Sequence, residues 1–197
     1  LINANTKKCS PNIKGYWNTF YCTNKIKIVD GKTQSMFCKN RWCMSCNRIA
    51  TAVAINKYYD IVSGWDDVYL VTLTVANCKG DILPSAIDKM HKVFTSVKRS
   101  LTRYYGLELK GLRKLEVTYN PVKRNYHPHF HLVVSGRLQA KMIVDRWLKF
   151  AEKSRFKVSA GAQDFRPLKG DRKALIELFK YATKLVQNRK KKGVSDE

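Results

Sequence analysis

The sequence predicts an α+β fold: an antiparallel sheet with helices on one face and an open opposite face, preceded by a small metal-binding module. Three observations predict it. Three segments, "VYLVTLTV" (68–75), "LRKLEVTY" (112–119) and "HFHLVVS" (129–135), alternate apolar and polar residues with the period of a half-buried strand. Stretches of helical spacing alternate with them. Five of the six cysteines fall in the first quarter of the chain, at Cys9, Cys22, Cys38, Cys43 and Cys46.

The 197 residues suffice for one domain of ordinary size and an appendage. The pattern divides near residue 60, giving an expected cysteine-rich module over 1–60 and a larger domain over 61–190. The remaining 191–197 form a basic tail or truncated linker. In the first part, "IKIV" reads as a strand, "VDGKTQ" as a polar turn, and "RIATAVAINKYYDIV" as a helix leading out of the module. In the second, "PSAIDKMHKVFTSVKRSLTRYY" follows the first strand and places Ile87, Met90, Phe94, Val97 and Leu101 on one side, with Pro84 near its start. The next two strands are joined by "NPVKRNYHP", so they pair antiparallel. "LQAKMIVDRWLKFAEK" is a helix, "FKVSAGAQDF" a fourth, glycine-weakened strand, and "RKALIELFKYATKLVQ" the last helix. Strand, helix, strand, strand, helix, strand is the order of RRM-like or ferredoxin-like domains.

Thirty-eight Lys and Arg against fifteen Asp and Glu give a net charge of +23, spread along the chain rather than gathered in a tail. Such a field attracts polyanions, and nucleic acid fits better than an acidic membrane, because no basic helix shows large apolar residues beyond core patterning. No apolar run approaches membrane-spanning length, and no secretory signal pattern is present. A cytoplasmic protein is expected, and in that setting clustered cysteines favour metal over disulfides.

Strand parity sorts the chemistry. With Phe130, Leu132 and Val134 turned to the helices, His127, His129 and His131 turn to the open face. In the neighbouring strand Leu115, Val117 and Tyr119 supply the core and leave Glu116 and Thr118 open, while Val71, Leu73 and Val75 leave Thr72 and Thr74 open. Two imidazoles at i, i+2 with a carboxylate from the next strand can hold one divalent ion and keep positions for substrate oxygens. Mn²⁺ or Mg²⁺ suits that set in phosphoryl chemistry, and Zn²⁺ also fits. A surface hairpin would account for one such histidine, but three at one parity opposite a glutamate favour a site.

On the last helix Glu177, Tyr181 and Lys184 form one stripe beside the apolar row Ala174, Leu178, Ala182 and Leu185. Tyr181 stands at the boundary, where its ring can pack while its hydroxyl reaches the metal face. In the first module, Cys38, Cys43 and Cys46 carry a CxxC knuckle that signals Zn²⁺ once a fourth thiolate joins, either Cys22 or Cys9. Arg41 and Arg48 would then be presented to DNA, and Trp42 would stack on a base or pack.

Spacing and sequence together carry a resemblance. "KGLRKLEVTYNPVKRNYHPHFHLVVSG" and "ELFKYATK" resemble the metal and tyrosine motifs of HUH endonucleases, specifically the rolling-circle replication initiators of small bacterial plasmids. "YLVTLTV" is similar to that family's first motif and "FCKNRWCMSC" to the cysteine segment before it, so the likeness runs in family order from Cys22 to Lys184. The resemblance implies a site-specific single-stranded DNA endonuclease and strand-transferase. It implies His129 and His131 as paired ligands of Mn²⁺ or Mg²⁺, Glu116 as the third, Tyr181 as the nucleophile, and Glu177 as an aid to the terminating cleavage. Lys184 would favour the phenolate, Lys180 or Lys184 would hold the phosphate, and His127 would touch DNA. Single-stranded or hairpin origin DNA is the implied substrate, with host helicase and polymerase as partners. Two other readings share parts of this pattern: a transposase of the same superfamily, and a non-catalytic zinc-containing DNA-binding protein, which would have no use for Glu116, His129 and His131 on one face.

Overall fold

The structure, a computed structural model, describes residues 12–24, 26–40, 42–168, 175, 176 and 178. These residues fall into two compact units, one ending at Ala54 and one covering Ile55–Leu178.

Among its described residues, the first unit contains helix α1 (Ile13–Phe20) and then strands β1 (Ile26–Val29) and β2 (Lys32–Ser35). The two strands form an antiparallel hairpin whose turn residues, Asp30 and Gly31, both have positive φ, 50° and 69°. An Asp-Gly pair in that conformation matches the twist of the flanking strands. Helix α2 (Met44–Ser63) crosses the unit boundary and begins four residues before the expected "RIATAVAINKYYDIV", taking in the second cysteine of the knuckle. Among the described residues up to Ala54, only Cys22, Cys43, Cys46 and Asn47 are buried. Among its described residues, the buried centre of this unit is made of thiols rather than apolar side chains.

The second unit contains β3 (Val68–Thr74), α3 (Leu83–Tyr105), β4 (Gly111–Asn120), β5 (Asn125–Ser135), α4 (Arg137–Lys153), a 3₁₀ turn (Ala160–Ala162) and β6 (Asp164–Pro167). The sheet order is β4-β5-β3-β6 with every pair antiparallel. This is the order of a split βαβ domain. Tyr69, Val71 and Leu73 of β3 and Phe130, Leu132 and Val134 of β5 pack against Met90, Val93, Phe94, Val97 and Leu101 of α3 and against Ala140, Ile143, Trp147 and Ala151 of α4. Both helices therefore cover one face, as expected. Helix α3 ends where Gly106 adopts φ 60° and the Leu107 N–H donates to the Leu101 carbonyl at 3.2 Å, closing the last turn.

Three expectations need correction. "FKVSAGAQDF" is not a strand along its length: residues 160–162 coil into the 3₁₀ turn, and pairing begins only at Asp164. Alanine and glycine give a strand little to pack. Tyr119 is 51% exposed rather than in the core. The β4–β5 hairpin runs past the end of β3, whose last partner is His129, so among the described residues no third strand pairs beside Tyr119, which meets Tyr126 with ring centroids 4.9 Å apart. Thr74 is buried rather than open, because its hydroxyl donates to the Ala162 carbonyl and its N–H to Gln163 Oε1.

On the face away from the helices, Val68, Leu70 and Val133 are also buried, at one end of the sheet. The histidines lie at the other end.

Candidate functional site

The register of three strands builds the polar end of the second face. His129 of β5 stands between Glu116 of β4 and Thr74 of β3, and His131 stands between Lys114 and Thr72. Paired residues in an antiparallel sheet share a face, so Glu116, Lys114, Thr72 and both imidazoles converge. One ligand atom each from Glu116, His129 and His131 lies within 4.8 Å of the others. The His131 Nε2 to Glu116 Oε2 distance is 3.7 Å, and the two imidazoles meet edge to face at 89° with centroids 4.8 Å apart.

Each imidazole is held through its other nitrogen. With Nδ1 protonated, His129 donates to the His127 carbonyl at 3.1 Å. The corresponding Nδ1–H of His131 donates to the Thr72 hydroxyl at 3.2 Å. Both then turn an Nε2 lone pair outward, the arrangement in which protein histidines ligate metals. Burial pushes His129 below the ordinary histidine range, the Lys114 ammonium adds to this, and the bond to His127 opposes it. Burial, then the neighbouring His129, does the same to His127. A neutral imidazole is the form that binds a cation. Ligands of one ion stand roughly 3–3.5 Å apart in octahedral or tetrahedral geometry, so a small side-chain adjustment closes this set around a divalent ion. Two nitrogens and one oxygen do not choose among Mn²⁺, Mg²⁺ and Zn²⁺.

Lys114 was not singled out from the sequence. Its Nζ is 3.9 Å from Glu116 Oε2. The parity that identified Glu116 also places Lys114, two residues earlier, on the same face, and a cation there can meet a phosphate oxygen or restrain the carboxylate.

The cysteine centre assembles from the turn after α1, the segment after β2, and the start of α2. Cys22, Cys38, Cys43 and Cys46 bring their sulfurs within 4.8 Å of one another, with Cys22 to Cys46 at 3.5 Å and Cys38 to Cys46 at 3.6 Å. Sulfurs bound tetrahedrally to Zn²⁺ at about 2.3 Å stand about 3.8 Å apart, so the four thiols fit that ion. The Lys39 N–H donates to Cys46 Sγ at 3.3 Å. Burial pushes the Cys22 thiol up to about 12 and also raises Cys46. Burial raises Cys38 too, but the Asn40 backbone, the Thr19 hydroxyl and Cys46 outweigh it and bring this thiol down to about 7. Cys78 stands apart in a bridge to Tyr126, raised by burial and then by Asp81.

Trp42 packs: its indole N–H donates to Thr19 Oγ1 at 3.1 Å and its ring lies 5.9 Å from that of Tyr16. Arg48 is exposed on α2. Cys9, Arg41, Glu177, Lys180, Tyr181 and Lys184 lie outside the described residues, as does most of the last helix, of which Leu175, Ile176 and Leu178 are helical.

A split βαβ sheet that gathers a His, His, Glu set on one face, in a chain with a cluster of four cysteines, defines a basic α+β protein with two groups of side chains that could each hold a metal ion. The chain belongs to the replication protein family, whose sequence model matches residues 30–196. It is 31% identical over 128 residues to "Protein rep" of Staphylococcus aureus, covering 58% of this chain and 55% of that protein. It is 33% identical over 129 residues to "Protein rep" of a Bacillus species, covering 58% and 38%. With "Protein rep" of Bacillus amyloliquefaciens the identity is 28% over 200 residues, covering 82% and 54%. The chain thus spans about half the length, or less, of these curated relatives. No solved structure matches. Among the described residues, no helix is long and apolar enough to cross a membrane.

Proposed function

We propose that this chain starts rolling-circle replication of a plasmid by nicking single-stranded origin DNA through Tyr181, with cation-assisted chemistry on the open face of the sheet. The observation that carries this reading is the convergence of Glu116, His129 and His131 to within 4.8 Å. Membership of the replication protein family agrees with it.

In this reading Glu116, His129 and His131 hold a divalent ion, Mn²⁺ or Mg²⁺. When bound, that ion neutralises charge building on the scissile phosphate oxygens. The protein's own groups supply the rest. The Tyr181 phenol, kept protonated and weakly nucleophilic at neutral pH by a free pKa of about 10, gives its proton to solvent, with the Lys184 cation favouring the phenolate. Its oxygen attacks phosphorus in line, a Tyr181 O–P bond forms, and the bond to the 3′ oxygen breaks. That oxygen takes a proton and leaves as a free 3′-hydroxyl, while the 5′ end stays on the protein as a phosphotyrosine. Because the exchange conserves a phosphodiester, a 3′-hydroxyl can reverse it and rejoin strands without a nucleotide cofactor. Glu177 assists the terminating cut, and Lys180 and Lys114 steady the phosphate. His127, Arg41 and Arg48 contact DNA, and Zn²⁺ on the four cysteines holds residues 1–60 as a DNA-contacting module beside a catalytic domain over 61–190. Origin DNA, host helicase and polymerase are the partners, and the cytoplasm is the setting.

A denaturing gel tests this directly. Incubated with end-labelled single-stranded origin DNA and Mn²⁺, the wild type should form an adduct that survives denaturation, and Tyr181→Phe should form none. His129→Ala should lose the adduct, and Glu177→Ala should keep the first cut. An adduct undiminished in Tyr181→Phe rejects the mechanism.

A further inference from the structure

Helix α1 has two unlike faces. One is fastened to the cysteine knuckle: the Gly15 carbonyl accepts from Asn40 Nδ2 at 2.7 Å, and the Thr19 hydroxyl accepts from Asn40 Nδ2 at 2.8 Å and from the Trp42 indole. A Cβ at Gly15 would come within 3.2 Å of the Trp42 ring, which shows how closely that face is seated. The other face carries Trp17, Phe20 and Tyr21. Trp17 and Tyr21 stack with centroids 5.8 Å apart and planes 18° from parallel, and Phe20 stands edge-on to both at 6.0 and 5.0 Å. These rings touch one another and yet stay open to solvent, at 39%, 55% and 57% exposure.

Three adjoining exposed aromatic rings on a pinned helix are an interaction surface. Charge selects the partner. Residues 1–54 carry Lys or Arg at 7, 8, 14, 25, 27, 32, 39, 41 and 48 against a single acid, Asp30. Lys14 lies one turn before Trp17 on the same side of α1 and is exposed. A second copy of so basic a segment would be repelled, whereas a polyanion with flat apolar faces satisfies both rings and cations.

We propose that Trp17, Phe20 and Tyr21 form a stacking platform for unpaired bases of single-stranded DNA, with Lys14 on the adjoining phosphate. The identity of the ligand rests on the nickase reading above, which it deepens by assigning single-strand preference to the cysteine module. Stacking on indole and phenol faces needs no particular base, because every base has a π-face. It does need the base to be out of a duplex, where both faces are covered by neighbours. The platform therefore favours melted over paired DNA without reading sequence.

The test measures fluorescence anisotropy of the full chain, loaded with Zn²⁺, on three labelled probes: a mixed-sequence single strand, its duplex, and an abasic deoxyribose-phosphate strand of equal length. Trp17→Ala with Tyr21→Ala should weaken single-strand binding by about tenfold or more, while Trp17→Phe, which keeps a π-face, stays within about threefold of wild type. Duplex and abasic binding should change little in either variant. Zinc content and circular dichroism equal to wild type verify that α1 remains in place. Equal losses on all three probes, or no loss on any, overturn the platform. The two readings fail separately: a wild type that forms the tyrosine adduct with no defect in the double variant keeps the nickase and loses the platform. A single-strand defect without any adduct does the reverse.

Discussion

The Thr72 hydroxyl lies 3.2 Å from Nδ1 of His131, its register partner on the adjacent strand. This contact fixes which nitrogen of His131 faces Glu116. Thr72→Val keeps the shape and removes the acceptor, so the ring loses its preferred tautomer and orientation. Divalent-ion affinity should fall about ten- to a hundredfold, as for other residues that orient a ligating histidine. Isothermal titration with Mn²⁺, alongside an unchanged thermal melt, checks it; unchanged affinity would show that the hydroxyl does not orient the ring.

Removal of metal from the cysteine centre should loosen the first unit alone. Its buried residues among those described are three cysteines and Asn47, too little apolar surface to hold a fold without the ion. A zinc chelator should speed amide hydrogen exchange across residues 13–54 while residues 68–135 keep their protection. Cys22→Ser should lose bound zinc, and Cys78→Ser should retain it.

Acid should destabilise the sheet unit through His91. Its Nδ1 accepts from Arg113 Nη2 at 3.1 Å, and that guanidinium lies over Phe94 and Phe130 at 4.4 and 4.6 Å. Burial, then the Arg113 charge, holds His91 below its ordinary 6.5, with Asp88 opposing. The unfolded imidazole therefore takes a proton first as pH falls. Its contribution to stability is whole above 6.5 and is lost as pH drops through the lowered folded value. Melting temperature should fall more steeply from about pH 7 to about pH 5 in wild type than in His91→Gln, whose amide stays neutral. Parallel curves would rule out this contribution.

Gly111 sits where a side chain does not fit. A Cβ there would lie 2.9 Å from the Val133 carbonyl oxygen and 2.9 Å from Val134 Cγ1. Gly111→Ala should cost about 1–3 kcal/mol in urea unfolding, the usual range for overpacking. At Gly64 the nearest atoms are 3.7 Å or more away, and Gly64→Ala should be nearly neutral.

How much of this was legible depends on the kind of signal. The alternation is clear from His129 to Leu132, before Val133 breaks it, so a parity choice there placed His129, His131 and Glu116 together and put Phe130, Leu132 and Val134 in the core. Helix α3 was legible for the same reason at the helical period: Met90, Phe94, Val97 and Leu101 are buried as its spacing predicts. The fourth strand was misplaced because four residues, Asp164–Pro167, paired along one edge, leave too short a pattern to read. Tyr119 has an ordinary core sequence position, and only the length of β3 relative to the β4–β5 hairpin determines that nothing covers it. Helix α1 escaped notice because it buries no apolar stripe. Its fixed contacts are hydrogen bonds from Asn40 and Trp42, more than twenty residues away in sequence.

Glu116, His129 and His131 all belong to one β-hairpin, closed by the short turn between Asn120 and Asn125. Their convergence needs only the pairing of two neighbouring strands, a contact of low sequence separation. The three side chains therefore travel together on one short stretch of chain, and the hairpin is a unit that can be grafted whole.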